Sequence, residues 1–341
     1  MKLQAPRTQA AATTTTATVT TGAARVLSRQ KLFYEAGADA RSDRPAHVRA
    51  GSGCAIVDVP GQGKRLAVVQ DDANFIALVD VKSAKVSFIE LPAGPGGVRQ
   101  FDQARGNKAD KRDLESIASV VVDGHPALLC MGSGSLPRRE AFVLVTLKND
   151  GAVVEEFPAG AFFKGLHKHH AFAGDELNVE GLVVDGDRAR FFNRGNGAGE
   201  AVDAVGEVSL QALLKHLRDP LLHAAPSLSR VQGFELGAID GVRLTFTDAT
   251  RHPDGRTLFL AAAEDSPNTY DDGDVKGAAI GVLDDDGGVT LVPLLDERGR
   301  PLRDKVEGIT VDPTDPRRAF VVVDKDDPSA PAELLVVQLP A

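Results

Sequence analysis

The sequence predicts an all-β fold, a five-bladed β-propeller, on three observations. A short motif recurs along the chain, with an acidic or polar residue, an alternating apolar strand and an Asp-Gly or Asp-Pro turn. Its copies follow one another at intervals of roughly 60 residues, which is long enough for four short strands and their turns. Further apolar strands and polar clusters repeat in the same order after each turn. Units of four strands that repeat in this way are typical of propeller blades.

Three copies of the motif are clear and two are weaker. The clear copies cover residues 113–124, 178–188 and 305–315. The weaker copies cover residues 50–61 and 245–256. We call the acidic or polar position of the motif the slot. The slots hold Ser52, Glu115, Glu180, Asp248 and Glu307.

Four segments outside the motif complete the expected organisation. Residues 1–21, rich in Thr and Ala, predict a disordered tail, and the rest of the chain, 22–341, forms a single propeller domain. Residues 209–218 are apolar at helical spacing and predict a helix inserted in the third unit. The last unit lacks a closing strand, which residues 26–34 would supply to seal the ring. A six-bladed ring is the alternative if residues 231–244 form a blade of their own.

The slots are expected to meet at one mouth of the channel. In a propeller the first strand of each blade lines the channel, and the second strand runs antiparallel beside it. The start of the first strand therefore lies beside the end of the second, where the polar clusters fall. The polar residues expected at this mouth are Asp71, Asp72, Asn193, Arg194, Glu264, Asp265 and Asp324.

Four slot carboxylates near one axis cannot all stay ionised without compensation. A bound cation is one remedy, and ligands that are all oxygen favour Ca²⁺, which accepts about six to eight of them. We therefore expect Ca²⁺ on the axis, with all five slot residues as ligands and no other cofactor. Two alternatives need no metal: the acids pair with Arg138, Arg194 and Lys305, or the channel is acidic and filled with water.

The sequence does not fix the catalytic residues, but three candidates lie near the expected mouth. His169 and His170 precede the third slot, and a neutral imidazole can transfer protons near neutral pH. Arg194 follows the second strand of the same unit.

Two charged loops have open roles. The basic loop at residues 99–112 either binds an anionic group or is a solvated loop. Asp271, Asp272 and Asp274 either wrap a second cation or belong to a polar surface loop.

Composition excludes some partners. The formal net charge of −9 argues against nucleic acid, because proteins that bind it need a basic face. No apolar run is long enough to span a bilayer, so we expect a soluble protein with no membrane partner. Cys54 and Cys130 lie in apolar runs and are expected to be buried thiols. We expect a cytoplasmic monomer, with a secreted or periplasmic location left open.

The slot motif resembles that of known propellers. Residues 177–196, LNVEGLVVDGDRARFFNRGN, carry a Glu-Gly slot with a trailing Asp-Gly turn. This passage is similar to phytase-like propellers of bacteria, some of which are esterase-like. The order of the five slots also resembles the ligand ring of calcium-activated nucleotidases (apyrases). That resemblance implies a five-bladed propeller with one axial cation held by Glu and Ser side chains, a pattern from which Asp248 departs.

The expected function is that of a calcium-dependent hydrolase of phosphate or carboxylic esters. The cation would polarise a small anionic or ester ligand at the mouth. Arg194 and the loop at residues 99–112 would offset the charge of that ligand. The alternative is a non-catalytic propeller that binds a ligand or a protein, with a structural cation or none, because the fold does not decide between these functions.

Overall fold

The fold consists mostly of strands. The computed structural model describes residues 14–197, 199–266 and 273–340. In chain order its strands are β1 Thr14–Thr16, β2 Thr18–Val19, β3 Ala24–Lys31, β4 Gly51–Val59, β5 Gly63–Gln70, β6 Phe75–Val79, β7 Val86–Glu90, β8 Leu114–Val122, β9 His125–Gly132, β10 Ala141–Lys148, β11 Gly151–Pro158, β12 Val179–Asp185, β13 Arg188–Asn193, β14 Asp203–Ser209, β15 Ser229–Glu235, β16 Ala238–Ile239, β17 Val242–Arg243, β18 Thr245–Arg251, β19 Thr257–Asp265, β20 Asp274–Leu283, β21 Val289–Leu295, β22 Lys305–Val311, β23 Arg318–Asp324 and β24 Glu333–Gln338. The helices are α1 Gly160–His167, α2 His170–Ala173 and α3 Leu210–Arg218, and short 3-10 turns cover Pro95–Gly97, Lys108–Asp110 and Pro137–Arg139.

Five groups of four strands make up the sheets. Four groups follow the chain from the inner to the outer strand: β4 to β7, β8 to β11, β12 to β15 and β18 to β21. The fifth runs from β22 through β23 and β24 to β3. Neighbouring strands within each group are antiparallel. We refer to these groups, in the order given, as sheets 1 to 5.

The inner strands of the sheets pack side by side around a common axis. β4 contacts β8, β8 contacts β12, β12 contacts β18, β18 contacts β22, and β22 contacts β4 again. Each pair of neighbouring sheets also shares one hydrophobic cluster. Small antiparallel sheets packed in this way around an axis indicate a β-propeller. The expected all-β class is therefore confirmed.

The cluster between sheets 2 and 3 also takes in the helices. Phe162 of α1 and Phe172 of α2 are fully buried in it. α3 confirms the helix expected at residues 209–218, and the hydroxyl of Ser209 caps it by accepting a hydrogen bond from the amide of Ala212. The insertion thus adds to the core between two sheets.

The N-terminal strand completes sheet 5, as the sequence predicts. β3 pairs antiparallel with β24, with Arg29 opposite Leu335. The first residues of β3 also pair in parallel with β21 of sheet 4, with Ala24 opposite Leu294. The edge of β24 is thereby covered, which removes a row of unpaired backbone groups.

The structure differs from the sequence prediction in the extent of the tail and bears on the alternative of a separate blade at residues 231–244. β1 pairs with β15 and β2 pairs with β21, so residues 14–19 belong to strands and not to a tail. Residues 1–13 lie outside the described part of the chain. Residues 231–244 hold most of β15, the outer strand of sheet 3, and the short hairpin of β16 and β17. This segment forms no blade of its own, because β15 is already paired with β14.

The two cysteines are placed as expected. Cys54 and Cys130 are buried and free, so they serve as small apolar side chains. Among the described residues no helix has the length and apolar character needed to cross a membrane.

Two glycines let the inner strands approach one another closely. A Cβ atom at Gly53 of β4 would lie 2.7 Å from the carbonyl oxygen of Glu115 in β8. A Cβ atom at Gly308 of β22 would overlap the carbonyl oxygen of Ser52 in β4. The contact between these strands therefore depends on the absence of a side chain at both positions.

Gly308→Ala is expected to lower the free energy of unfolding by about 1–3 kcal/mol, because the added methyl group pushes β22 away from β4. Gly165→Ala is the control, since nothing lies within 4 Å of a Cβ atom there and alanine favours helix α1. Urea denaturation followed by circular dichroism measures both variants. An unchanged midpoint for Gly308→Ala would contradict the close approach of the strands.

Candidate functional site

Every inner strand carries a β-bulge near its start. Pairing with the second strand shifts register there, by one extra residue on the inner strand in each sheet. A bulge bends its strand and re-aims the unpaired side chain. The residues at the bulges are Ser52 with Gly53, Glu115, Glu180, Thr247 and Glu307. Four of the five slot residues named from the sequence therefore lie in bulges.

The fourth slot was assigned to the wrong residue. Thr247, and not Asp248, is the bulge residue of β18. Asp248 is 2% exposed, and its carboxylate accepts hydrogen bonds from the backbone amides of Ile309 in β22, at 2.8 Å, and of Cys54 in β4. Burial raises the pKa of Asp248. Its side chain therefore ties three inner strands together and does not line the mouth.

The other slot residues line a cavity at one mouth of the channel. Its volume is about 230 Å³, and its lining includes Ser52, Glu115, Glu180 and Glu307. Polar residues from the ends of the second strands join them, as the antiparallel pairing predicts. Those that line the cavity are Asp71, Asp72, Arg194, Glu264 and Asp324.

Two of the residues expected at the mouth lie elsewhere. Asn193 is fully buried, where its side chain accepts a hydrogen bond from the amide of Asn178. Asp265 is exposed, with its carboxylate 4.0 Å from Lys276. Successive side chains of a strand point to opposite faces. Asn193 and Asp265 therefore point away from the face on which their neighbours Arg194 and Glu264 line the cavity.

The cavity lining carries more negative than positive charge. Eleven carboxylates and five cationic side chains border it. The carboxylates are Asp71, Asp72, Asp102, Asp113, Glu115, Glu180, Glu264, Glu307, Asp324, Asp326 and Asp327. The cations are Lys108, Lys111, Arg139, Arg194 and Lys305. This excess of negative charge favours a cationic ligand.

Asp71, Asp113 and Glu115 form the tightest acidic cluster. One oxygen of each carboxylate lies within 4.8 Å of the other two, and no second such group of acidic, His or Cys side chains occurs among the described residues. Lys111 pairs with Asp71 at 2.5 Å and with Asp113 at 2.6 Å. Arg139 also pairs with Asp113, at 2.8 Å. Glu115 makes no hydrogen bond or ion pair with another described residue.

The remaining slot carboxylates pair with the bases named from the sequence. Arg194 lies 3.5 Å from Glu180 and 2.5 Å from Glu264. Lys305 lies 3.8 Å from Glu307. Arg194 and Lys305 therefore offset part of the charge of the slot glutamates, as the alternative without a metal expects. The axial cation held by the slot residues stays a prediction.

Burial governs the protonation of the slot glutamates. It raises the pKa of Glu115, and the nearby carboxylate of Glu180 raises it further. Burial also raises the pKa of Glu180, and that of Glu307 although Lys305 and Arg194 oppose the change. These carboxyl groups hold protons more readily than they would in water, and a bound cation would reverse that effect.

Asp113 is the candidate that the motif did not single out. It lies two residues before its slot, and the residues at the same offset in sheets 3 and 5 are Asn178 and Lys305. All three line the cavity. Residues two apart on a strand face the same side, so this offset from the slot is the sequence signal that finds them.

The two histidines named as catalytic candidates do not line the cavity. His170 is exposed at the start of α2, with Nε2 3.2 Å from Glu200, whose carboxylate raises the pKa of His170. His169 immediately precedes it. Helices α1 and α2 pack in the cluster between sheets 2 and 3, which holds both histidines outside the cavity. Arg194 alone of the three candidates lines it.

The basic loop at residues 99–112 supplies two lysines to the cavity lining. Its other charges are engaged nearby, as in the 3.0 Å contact between Arg105 and Asp43. Arg138, which was expected to pair with a slot carboxylate, pairs with Asp110 of this loop because it lies outside the cavity. The loop therefore presents less positive charge to the mouth than its composition suggests.

The proposed second cation loop is only partly described. Asp271 and Asp272 lie outside the described residues. Asp274 is 91% exposed and lies 3.5 Å from Lys276.

Asp248→Ala is expected to lower the free energy of unfolding by about 2–4 kcal/mol, because two buried backbone amides lose their acceptor. Asp248→Asn keeps an acceptor oxygen and should cost less. If the mouth binds Ca²⁺, neither change should alter the affinity measured by titration calorimetry, since Asp248 lies outside the mouth cavity. Weaker Ca²⁺ binding by a folded Asp248→Asn variant would return this residue to the ligand set.

Solved structures offer weak likenesses. The extracellular domain of the BT4673 hybrid two-component system from B. thetaiotaomicron is 10% identical, with a TM-score of 0.33, and the alignment covers 86% of this chain and 27% of that one, so this chain spans only part of that neighbour. The catalytic domain of a GH62 α-L-arabinofuranosidase from Coprinopsis cinerea is 12% identical, with a TM-score of 0.45 and coverage of 93% and 96%. A gluconolactonase from Xanthomonas campestris is 13% identical, with a TM-score of 0.37 and coverage of 85% and 72%. At these scores the likenesses carry no functional argument.

Sequence comparison identifies a family and no activity. No curated protein matches the chain. Residues 47–339, which hold strands β4 to β24, match a family of unknown function, DUF6929. This match does not confirm the resemblance to phytase-like propellers. The chain belongs to the family of unknown function DUF6929.

Proposed function

We propose that this chain binds a divalent cation, Ca²⁺ by preference, in the mouth cavity and hydrolyses a phosphate or carboxylic ester there. The observation that carries the proposal is the cluster of Asp71, Asp113 and Glu115, whose carboxylate oxygens lie within 4.8 Å of one another. Among these three, Glu115 is the carboxylate that has no partner among the described residues. A carboxylate held in a cavity without a partner is a ready ligand for a cation.

We infer that the scaffold is a five-bladed propeller. The closed order of contacts among the five inner strands supports this count, and so does the one hydrophobic cluster between each pair of neighbouring sheets. Among the described strands, β16 and β17 pair only with each other and join none of the five sheets. Each has two residues, which is too short for a blade.

The chemistry of the cluster favours Ca²⁺ over other divalent ions. Its ligand atoms are all oxygens, which are the donors that Ca²⁺ and Mg²⁺ take in proteins. Ca²⁺ accepts irregular arrangements of about six to eight oxygens, whereas Mg²⁺ demands near-octahedral geometry. A cavity of about 230 Å³ has room for water or ligand oxygens beside the three carboxylates.

Lys111 marks the place where positive charge is needed. Its ammonium group lies between Asp71 and Asp113. Burial alone would lower the pKa of Lys111, but the charges of these carboxylates raise it. Lys111 and Arg139 together balance Asp71 and Asp113, so Ca²⁺ would replace the charge of the lysine and of the proton that burial favours on Glu115. We propose that the flexible lysine side chain yields its place to Ca²⁺.

The charges around the cluster support hydrolysis of a small ester. When bound, Ca²⁺ would supply Lewis-acid polarisation of the ester. Arg194 and Lys305 line the same cavity and would offset the charge of a phosphate or carboxylate group on the substrate. The cavity volume limits the part of the substrate that enters to a small group.

A non-catalytic binding propeller is the second candidate, and the ion pairs of the mouth favour it. Arg194, Lys305 and Lys111 are already paired with carboxylates, which lowers the need for a further cation. No histidine lines the cavity among the described residues, and the group there whose pKa lies near neutrality is Asp72, raised to about 7 by burial. In this case the mouth would hold a ligand or a protein segment, with a structural cation or none.

Ca²⁺ added to EDTA-treated protein is expected to raise the thermal midpoint, because a ligand that binds only the folded state stabilises it. At a concentration of about 100 times Kd the gain is about 2.7 kcal/mol. Glu115→Gln removes one ligand charge and should weaken Ca²⁺ binding about tenfold or more. Glu35→Gln, at an exposed carboxylate paired with Lys85, is the matched control and should bind like the wild type. If no divalent ion moves the midpoint, the metal site is wrong.

Turnover separates the two candidate functions. Hydrolysis of p-nitrophenyl phosphate or p-nitrophenyl acetate is expected with Ca²⁺ and should be lost in EDTA. Arg194→Gln should raise KM for the anionic phosphate about tenfold more than for the neutral acetate, while Arg194→Lys, which keeps the charge, should have a smaller effect. Stabilisation by Ca²⁺ without turnover of either ester would favour the binding propeller.

A further inference from the structure

A cluster of arginines lies at the end of the channel opposite the mouth cavity. The inner strands run from their slots to this end, where Arg251 is the last residue of β18 and lines a second cavity of about 350 Å³. Arg188 and Arg190 lie at the start of β13 in the neighbouring sheet 3. Arg190 reaches Thr257 of sheet 4, and Arg188 and Arg251 share Asp185, so the three lie at the boundary between sheets 3 and 4.

Arg190 is buried without a carboxylate partner. It is 6% exposed, and it donates a hydrogen bond from Nη2 to the hydroxyl of Thr257, at 2.6 Å. Its Nε–H group is buried with no acceptor among the described residues. A buried guanidinium that faces no anion is costly, because nothing offsets the loss of its hydration.

Two more arginines surround Arg190. Arg188 lies 3.0 Å from Asp185, and Arg251 lies 2.8 Å from the same carboxylate. The Asp185 carboxylate therefore pairs with both Arg188 and Arg251, and no described carboxylate pairs with Arg190. Burial lowers the pKa of Arg190, and the positive charges of Arg188 and Arg251 lower it further. Such a local excess of positive charge stands out in a chain whose net charge is −9.

The other nearby carboxylates do not fill the gap. Asp285 is 66% exposed and lies 3.7 Å from Arg188. Glu207 pairs with Arg230, at 3.2 Å. Glu207 lies opposite Arg190 in the pairing of β13 with β14, and both carboxylates act on Arg190 by charge without a hydrogen bond to it. Among the described residues, therefore, no carboxylate forms an ion pair with the Arg190 guanidinium.

We propose that Arg188, Arg190 and Arg251 form a binding site for a phosphate group, distinct from the acidic mouth. A guanidinium presents paired N–H donors that match two oxygens of a tetrahedral oxyanion, and three convergent arginines suit its double negative charge. The hydroxyl of Thr257 accepts from Arg190 and can donate its own proton to the same anion. The group is either free phosphate or the head of a phosphate monoester.

The response of the whole chain to inorganic phosphate tests this site, in EDTA so that no metal at the mouth takes part. Thermal unfolding is followed while phosphate replaces chloride at constant ionic strength. Saturable stabilisation of the wild type is expected, and Arg190→Met should weaken phosphate binding about tenfold or more. Without phosphate this variant should be at least as stable as the wild type, because it loses an unpaired buried charge.

Arg256→Met is the matched control, since it removes the same charge from an exposed arginine paired with Asp254 and should leave phosphate binding unchanged. Arg251→Gln, at a partly exposed position, should weaken binding as Arg190→Met does and serves if that variant fails to fold. Tighter binding of glycerol phosphate than of inorganic phosphate would assign the site to monoesters, and the reverse to the free ion. No saturable stabilisation of the wild type, or equal stabilisation of Arg190→Met, would overturn the proposal.

Discussion

The β-bulge at the start of each inner strand is the constraint on which the rest of the structure depends. It frees one residue from pairing in every sheet, and Glu115, Glu180 and Glu307 turn into the mouth cavity for that reason. The glycines at 53 and 308, one residue beyond their slots, let neighbouring inner strands approach until backbone meets backbone. The bulges and the glycines beside them thus allow close packing of the inner strands and also bring carboxylates together at one end of the channel.

The negative charge of these carboxylates has to be offset by basic side chains, and the amount offset differs between the sheets. Arg194 and Lys305 neutralise much of the charge from sheets 3, 4 and 5. Between sheets 1 and 2, Lys111 and Arg139 offset Asp71 and Asp113, while Glu115 makes no ion pair in the described chain and burial raises its pKa. A cation is therefore proposed beside sheet 2 and not on the axis. The opposite end of the channel has the reverse imbalance, in which Arg190 lacks an acid.

The four-stranded sheets could be predicted from the sequence because strand alternation and turn residues are local signals. The sequence identified the slots at Glu115, Glu180 and Glu307 for the same reason. It failed at Thr247 and Asp248, since a bulge moves the register by one residue and only the pairing with β19 decides which of the two is freed. The ion pair of Lys111 with Asp71 joins residues 40 apart on different sheets, and no local pattern encodes such a contact. The histidines at 169 and 170 lie outside the mouth cavity because the packing of their helices, and not their position along the chain, sets their place.

We propose that the mouth exchanges a lysine for a cation. A crystal structure of the protein grown with CaCl₂ tests it most directly. We expect a density peak bounded by Asp71, Asp113 and Glu115, with oxygen neighbours at about 2.4 Å, and a Lys111 side chain displaced from the carboxylates. A structure in which the Lys111 ammonium group still lies between Asp71 and Asp113, with no peak beside Glu115, would contradict it.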